Sequence, residues 1–187
     1  MKKTILATLL LSFGMTSSVM AAPQPPGGVT LQWTGSVPAI ATPGAGYWIV
    51  KDGELDFSAG VLTFVNDTNG PALQSSSEIG FKVVKDATPD ANPYDPGTDI
   101  EKVNYSYMLD NLKVGINGIP ASQAANGYFA VHANGADTPL ALNTASTLSD
   151  EPTRLTIKSN AGATTPVALI PGADVVVQSI ITITPDF

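Results

Sequence analysis

With 187 residues, 16 acidic side chains against 9 basic ones, a single histidine and no cysteine, this chain has the means for few kinds of chemistry. The acidic balance repels nucleic acid and anionic surfaces, and no run of Lys or Arg offers a local exception. The missing cysteines exclude thiol catalysis, cysteine metal sites and disulfide staples, so burial and backbone pairing must carry the fold.

In chain order, residues 1–21 have the form of a secretory signal. Lys2 and Lys3 precede an apolar run from Ile5 to Met15, and Val19-Met20-Ala21 suits cleavage after Ala21. The apolar core is too short for a membrane-spanning helix, and no cysteine is present to carry a lipid anchor. The expected mature chain of 166 residues is one domain's worth. Losing Lys2 and Lys3 takes its basic count from 9 to 7, for a net charge near −9. The expected organisation is a signal peptide over 1–21, an N-terminal extension over 22–38 and one β domain over 39–187.

Pro23-Gln24-Pro25-Pro26-Gly27-Gly28 reads as a semi-extended leader with a glycine joint. Beyond it, Val29, Leu31, Trp33, Gly35 and Val37 occupy every second position, the period of a strand with one buried face. Pro38, Pro43, Gly44 and Gly46 then break the chain. Tyr47-Trp48-Ile49-Val50 is an expected strand, and Lys51-Asp52-Gly53-Glu54 predicts a tight turn into a hairpin with Leu55-Asp56-Phe57. Further strands are expected over 61–65 and 79–84, the second with Ile79, Phe81 and Val83 on one face.

Residues 85–99 read as a loop rich in proline and aspartate. Over 103–109 a helix capped at Asp99 competes with a strand, and Asn104, Tyr105 and Tyr107 favour the strand. Asn117-Gly118 predicts a hairpin turn within 112–119, with Pro120 limiting the second arm. One helical turn is expected over 122–126, then a strand over 128–133 and an Asn134-Gly135 turn. Leu155 and Ile157 alternate inward over 153–158, and the chain closes on Val175, Val177, Ser179, Ile181 and Ile183 along one face. Glycine and proline (17 and 15 residues) and strands at about 10-residue spacing point to an all-β sandwich or barrel.

Chemistry is sparse. His132 is the sole side-chain base of its kind, no Gly-x-Ser-x-Gly elbow exists, and nothing promotes a facing pair of carboxylates. Asp86, Asp90, Asp95, Asp99 and Glu101 cluster in the loop, but their spacing fits no calcium loop and prolines interrupt it, so a solvated loop is the better reading. Trp33, Tyr47 and Trp48 could form a sugar-stacking face, although aromatics at alternating strand positions more often enter a core. No catalytic residue, cofactor or metal site is expected.

The layout resembles the fimbrial (pilin) subunits that Gram-negative bacteria assemble by the chaperone–usher pathway, in their cysteine-free form. The carrying residues are Gly27, Gly28, Trp33, Gly35 and Val37 at the front, and Gly172, the 175–183 alternation and Phe187 at the back. Two features depart from the commoner pattern: the absent disulfide, and an ending Pro185-Asp186-Phe187 with no tyrosine next to last. The resemblance implies an incomplete immunoglobulin-like β-sandwich, missing its last strand and completed by donor strand complementation. Its donor strand would present Val29, Leu31, Trp33, Gly35 and Val37. Its groove- and chaperone-facing C-terminal strand would present Val175, Val177, Ile181, Ile183 and Phe187. The implied partners are a periplasmic chaperone, an outer-membrane usher and further copies of the same or related subunits in a head-to-tail polymer, with a host receptor as a further candidate. The implied role is a structural, non-enzymatic subunit of a cell-surface fimbria that supports adhesion. A monomeric exported binding module, for instance for carbohydrate, is the alternative.

Overall fold

The computed structural model describes residues 42–43, 46–68, 70–89 and 93–187. The 29–37 alternation lies outside the described residues. Those described form an all-β, antiparallel fold with no helix. Ten strands are present among the described residues: β1 (Thr42–Pro43), β2 (Tyr47–Asp52), β3 (Leu62–Asp67), β4 (Gly70–Ser76), β5 (Ile79–Lys85), β6 (Asn104–Ile116), β7 (Ala121–Ser122), β8 (Phe129–Ala133), β9 (Thr153–Ser159) and β10 (Val175–Asp186).

Five strands form one sheet in the order β1-β2-β5-β9-β8, three form another in the order β10-β6-β7, and β3 and β4 form a hairpin. Apolar residues from all three meet in one core: Leu73 of β4, Leu109 and Leu112 of β6, and Phe129 and Val131 of β8, with Tyr128 and Leu169. Phe81 and Val83 of β5 meet Val103 and Tyr105 in an adjoining cluster. Two antiparallel sheets sharing a core in this way are consistent with a β-sandwich. The Tyr128 hydroxyl ties hairpin to sheet by accepting from the Leu73 amide at 3.0 Å.

Most expected strands form. The 61–65 strand is β3, 79–84 is β5 with Phe81 and Val83 buried, 128–133 is β8 and 153–158 is β9. The hairpin expected at Lys51–Glu54 does not form. β2 pairs instead with β5, Tyr47 opposite Lys85 and Asp52 opposite Gly80, while 55–57 carries no strand. Gly80 permits that pairing, since a β-carbon there would meet the Asp52 carbonyl oxygen at 2.2 Å. β2 also buries its second face: Trp48 and Val50 pack with Val84 beneath Tyr94 of the acidic loop.

The strand expected over 103–109 and the first arm of the hairpin expected within 112–119 are one 13-residue strand, β6. Asp110 is absorbed as a bulge against β10: Ile180 faces Asn111 and Ile181 faces Leu109. The Asp110 carboxylate accepts a hydrogen bond from the Thr182 hydroxyl. The chain reverses at Asn117-Gly118, with Asn117 at φ +54°, but as a bend rather than a tight two-residue hairpin: β6 and β7 pair only at Lys113–Ser122 and Val114–Ala121, and Pro120 leaves β7 as a two-residue return strand. Ser122 belongs to that strand, so the helical turn expected over 122–126 is absent. The chain there makes a single reverse turn, with Gly127 donating to the Ala124 carbonyl at 2.9 Å. Sequence reading missed the two-residue β1, where Pro43 reads as a break, and β4, whose Pro71 and Ser75-Ser76 end lack an alternating apolar face.

Candidate functional site

The longest exposed strand edge among the described residues belongs to β10. Its apolar residues recur at every second position, which sets Val175, Val177, Ile181 and Ile183 on the core side. β10 pairs along its whole length with β6 on one side. On its other side no strand pairs with it among the described residues. The core-side residues are accordingly only half-buried, and none of the 12 residues of β10 is fully buried. Val175, Val177 and Ile181 rest on the main core cluster, and Ile181 and Ile183 on the second.

β3 is the second such edge. Among the described residues it pairs with β4 alone, and its Leu62 and Phe64 lie half-buried on the same core that β10 touches. No backbone hydrogen bond joins β3 to β10 among the described residues. The core is thus flanked by two half-covered apolar strands, each hydrogen-bonded to a strand on one side only among the described residues. Such an edge is a template for another extended chain.

The expected C-terminal site residues therefore come together, with two refinements. Phe187 lies past the end of β10, where its ring sits 5.9 Å from that of Tyr47 while 72% of the residue stays exposed. Ser179, in register with the apolar four, is exposed opposite the buried Leu112. The expected donor residues Val29, Leu31, Trp33, Gly35 and Val37 lie outside the described residues. Sequence reading missed the contribution of β3. The signal was the half-apolar alternation Leu62, Phe64 beside the polar Thr63.

The chemical candidates resolve into structure. His132 is buried, and its Nδ1 stands 2.9 Å from the Ala136 carbonyl oxygen, to which it donates. Asp99 is 2% exposed, and its carboxylate accepts from the amides of Ala87 and Asp95, both at 2.9 Å, so it clamps the acidic loop. Asp86 similarly accepts from the Thr88 amide at 3.0 Å. Among the described residues no three His, Cys, Asp or Glu side chains group as a metal site would require. Trp48, 4% exposed with its ring 6.0 Å from that of Tyr94, presents no open face to a sugar. A recess of about 410 Å³ is lined by Asn126, Tyr128, Asn160 and Thr164 among small residues, without any acid or basic group.

No protein-family model, curated protein or solved structure matches this chain. What the chain offers for function rests on its own geometry, and the paired edges of β10 and β3 are its most distinctive feature. Burial raises the pKa of Tyr105 and of Tyr107, both on β6 beside β10, opposite Pro185 and Ile183. The Tyr105 hydroxyl donates to the Glu151 carbonyl at 2.8 Å and shares a hydrogen bond of 2.9 Å with Thr153.

Proposed function

We propose that the chain is a structural subunit of a surface fimbria, an immunoglobulin-like sandwich lacking its last strand. Its N-terminal strand, 29–37, fills the same gap in the next subunit. The observation that carries this reading is β10, a 12-residue apolar strand whose outer edge has no partner among the described residues. An exported protein with so long an open edge would aggregate unless a partner covered it. A periplasmic chaperone would cover it first and the next subunit, at an outer-membrane usher, afterwards. Burying Val29, Leu31, Trp33 and Val37 would contribute about 1.5–3 kcal/mol each. Head-to-tail addition of this kind gives an open fibre rather than a closed ring.

The test is deletion of residues 22–37 in cells that assemble the chain, followed by electron microscopy. Loss of fibres with the subunit still exported supports the reading, and fibres built from the truncated chain overturn it.

A further inference from the structure

Charge is spread unevenly along the β6–β10 ladder. Around its Asn104–Asp186 end stand Asp86, Asp99, Glu101, Glu151 and Asp186, against Lys85 and Lys102. The Ile116–Val175 end is built from residues 114–128 and 159–173, and neither stretch contains an Asp, Glu, Lys or Arg; Asp174 borders them. The two stretches are tied together there: the Asn117 amide donates to the Asp174 carbonyl at 2.8 Å, and the Asn117 side-chain oxygen accepts from the Asp174 amide at 2.9 Å.

In place of charge, this near-neutral end presents aliphatic side chains. Ile119 is 93% exposed, Val167 95% and Ile170 56%. The loop that carries the last two is held in shape. Leu169 anchors it in the main core, and it closes three turns, Ala163 donating to Asn160, Leu169 to Pro166 and Ala173 to Ile170 at 2.9 to 3.1 Å. Exposed apolar side chains without charge, on an ordered backbone, are the composition of the centre of a protein contact.

We infer that the near-neutral end is the seat on which the domain of a second copy rests, by that copy's acidic end. This rests on the strand-exchange reading above and concerns a contact outside the exchanged strand. Val37 and Thr42, the first residue of β1, are five Cα steps apart, a span of at most about 18 Å. The two ends of the 12-residue β10 lie roughly 37 Å apart. A donated segment laid along β10 therefore brings its own domain against one end only.

β1 belongs to the acidic end of that domain. Pro43 pairs with Trp48, the Gly46 carbonyl accepts from the Asp86 amide at 3.0 Å, and the Tyr47 ring lies 5.9 Å from that of Phe187. Seating this end on the acidic end of the acceptor sets carboxylates against carboxylates, in a chain whose net charge is already −7. Seating it on the near-neutral end avoids that repulsion. Neither stretch exposes an aromatic or Arg side chain, the usual anchors of a tight interface, so the contact is weak alone. The exchanged strand supplies the effective concentration that makes it form.

A charge swap tests the seat in the full chain, assembled in cells. Val167→Asp should cut fibre yield at least tenfold, whereas Val167→Lys, a counter-charge to the acidic end, should keep it within twofold of the parent. Ile119→Asp and Ile119→Lys repeat the comparison on the other stretch. The denaturation midpoint of each free subunit should match the parent's, since both positions are exposed. Thr144→Asp places the same charge on an exposed residue beside the middle of β6 and should leave the yield within twofold. Equal yields from the Asp and Lys variants, both normal or both low, overturn the inference.

The chain has no cysteine, so an introduced pair reports position. Ala39→Cys with Val167→Cys should cross-link neighbouring subunits through a short bis-maleimide at least tenfold more than Ala39→Cys with Asp186→Cys. The reverse order overturns the seat. Fibres that form without residues 22–37 sink the strand-exchange reading itself, a separate outcome.

Discussion

β8 and β10 both end their sheets, yet the chain treats their outer edges in opposite ways. All five residues of β8 are buried, and its outer edge is closed from within. The Gln123 side chain donates to the Phe129 carbonyl at 2.7 Å and accepts from its amide at 3.2 Å, standing in for a neighbouring strand. Leu140 completes the cover by donating its amide to the Val131 carbonyl at 2.8 Å. β10 is more than twice as long, has no fully buried residue and receives no such cover among the described residues. A chain that closes one edge with a side-chain amide has the means to protect edges. Among the described residues the edge of β10 has no such cover, which is the contrast that the proposed strand exchange would explain.

Mutations at the two edges should separate along this line. The largest effect is expected at β8. Phe129, 1% exposed and edge-on to both Phe64 and Tyr128, should cost about 3–5 kcal/mol when changed to alanine, read as a lowered denaturation midpoint of the free subunit. Gln123→Ala strips the cover from Phe129 and leaves a buried amide and carbonyl unmet, for about 1–3 kcal/mol in the same measurement. If Gln123→Ala proves neutral, the closed-edge account of β8 fails. Val177→Ala on β10 should cost the free subunit only about 1 kcal/mol, because its side chain is half-buried. Under the proposed strand exchange the same change should lower the temperature at which the assembled fibre dissociates. Equal effects on free subunit and fibre would erase the contrast between the two edges.

The smallest expected effect is one of pH. Tyr105 and Tyr107 have folded-state pKa values raised above 10.0 by burial. Their contribution to stability is fully present below pH 10, where the phenols are neutral in both states. It falls as pH rises from there through the folded values, because the unfolded chain ionises first. Stability of the free subunit followed from pH 8 to 12 should therefore decline above pH 10, with a shallower slope in Tyr105→Phe. A partner strand on β10 would deepen the burial of β6 and move the decline further up.

Sequence reading succeeded where a strand's partner choice did not matter. Alternation located β5, β8, β9 and β10 because each keeps apolar residues at every second position, and the reversal at Asn117-Gly118 needed only local chemistry. It failed where pairing is long-range. Lys51–Glu54 looks like a hairpin turn, but the partner of β2 lies in β5, on the far side of β3 and β4, and the close approach at Gly80 decides it. A strand over 103–109 and a hairpin from 112 are separate in the sequence because a two-residue period cannot pass an extra residue, whereas the sheet absorbs Asp110 as a bulge. At the candidate site, the alternation of Val175, Val177, Ile181 and Ile183 was legible. The half-burial of Leu62 and Phe64 was not, since it depends on which strands lie alongside.

The most direct test of strand exchange at β10 is amide hydrogen exchange on the chain lacking residues 22–37, with and without a peptide of residues 27–38. The account predicts that the peptide slows exchange at the β10 amides that face away from β6 and leaves those of β8 unchanged. Equal exchange along β10 with and without the peptide would contradict it.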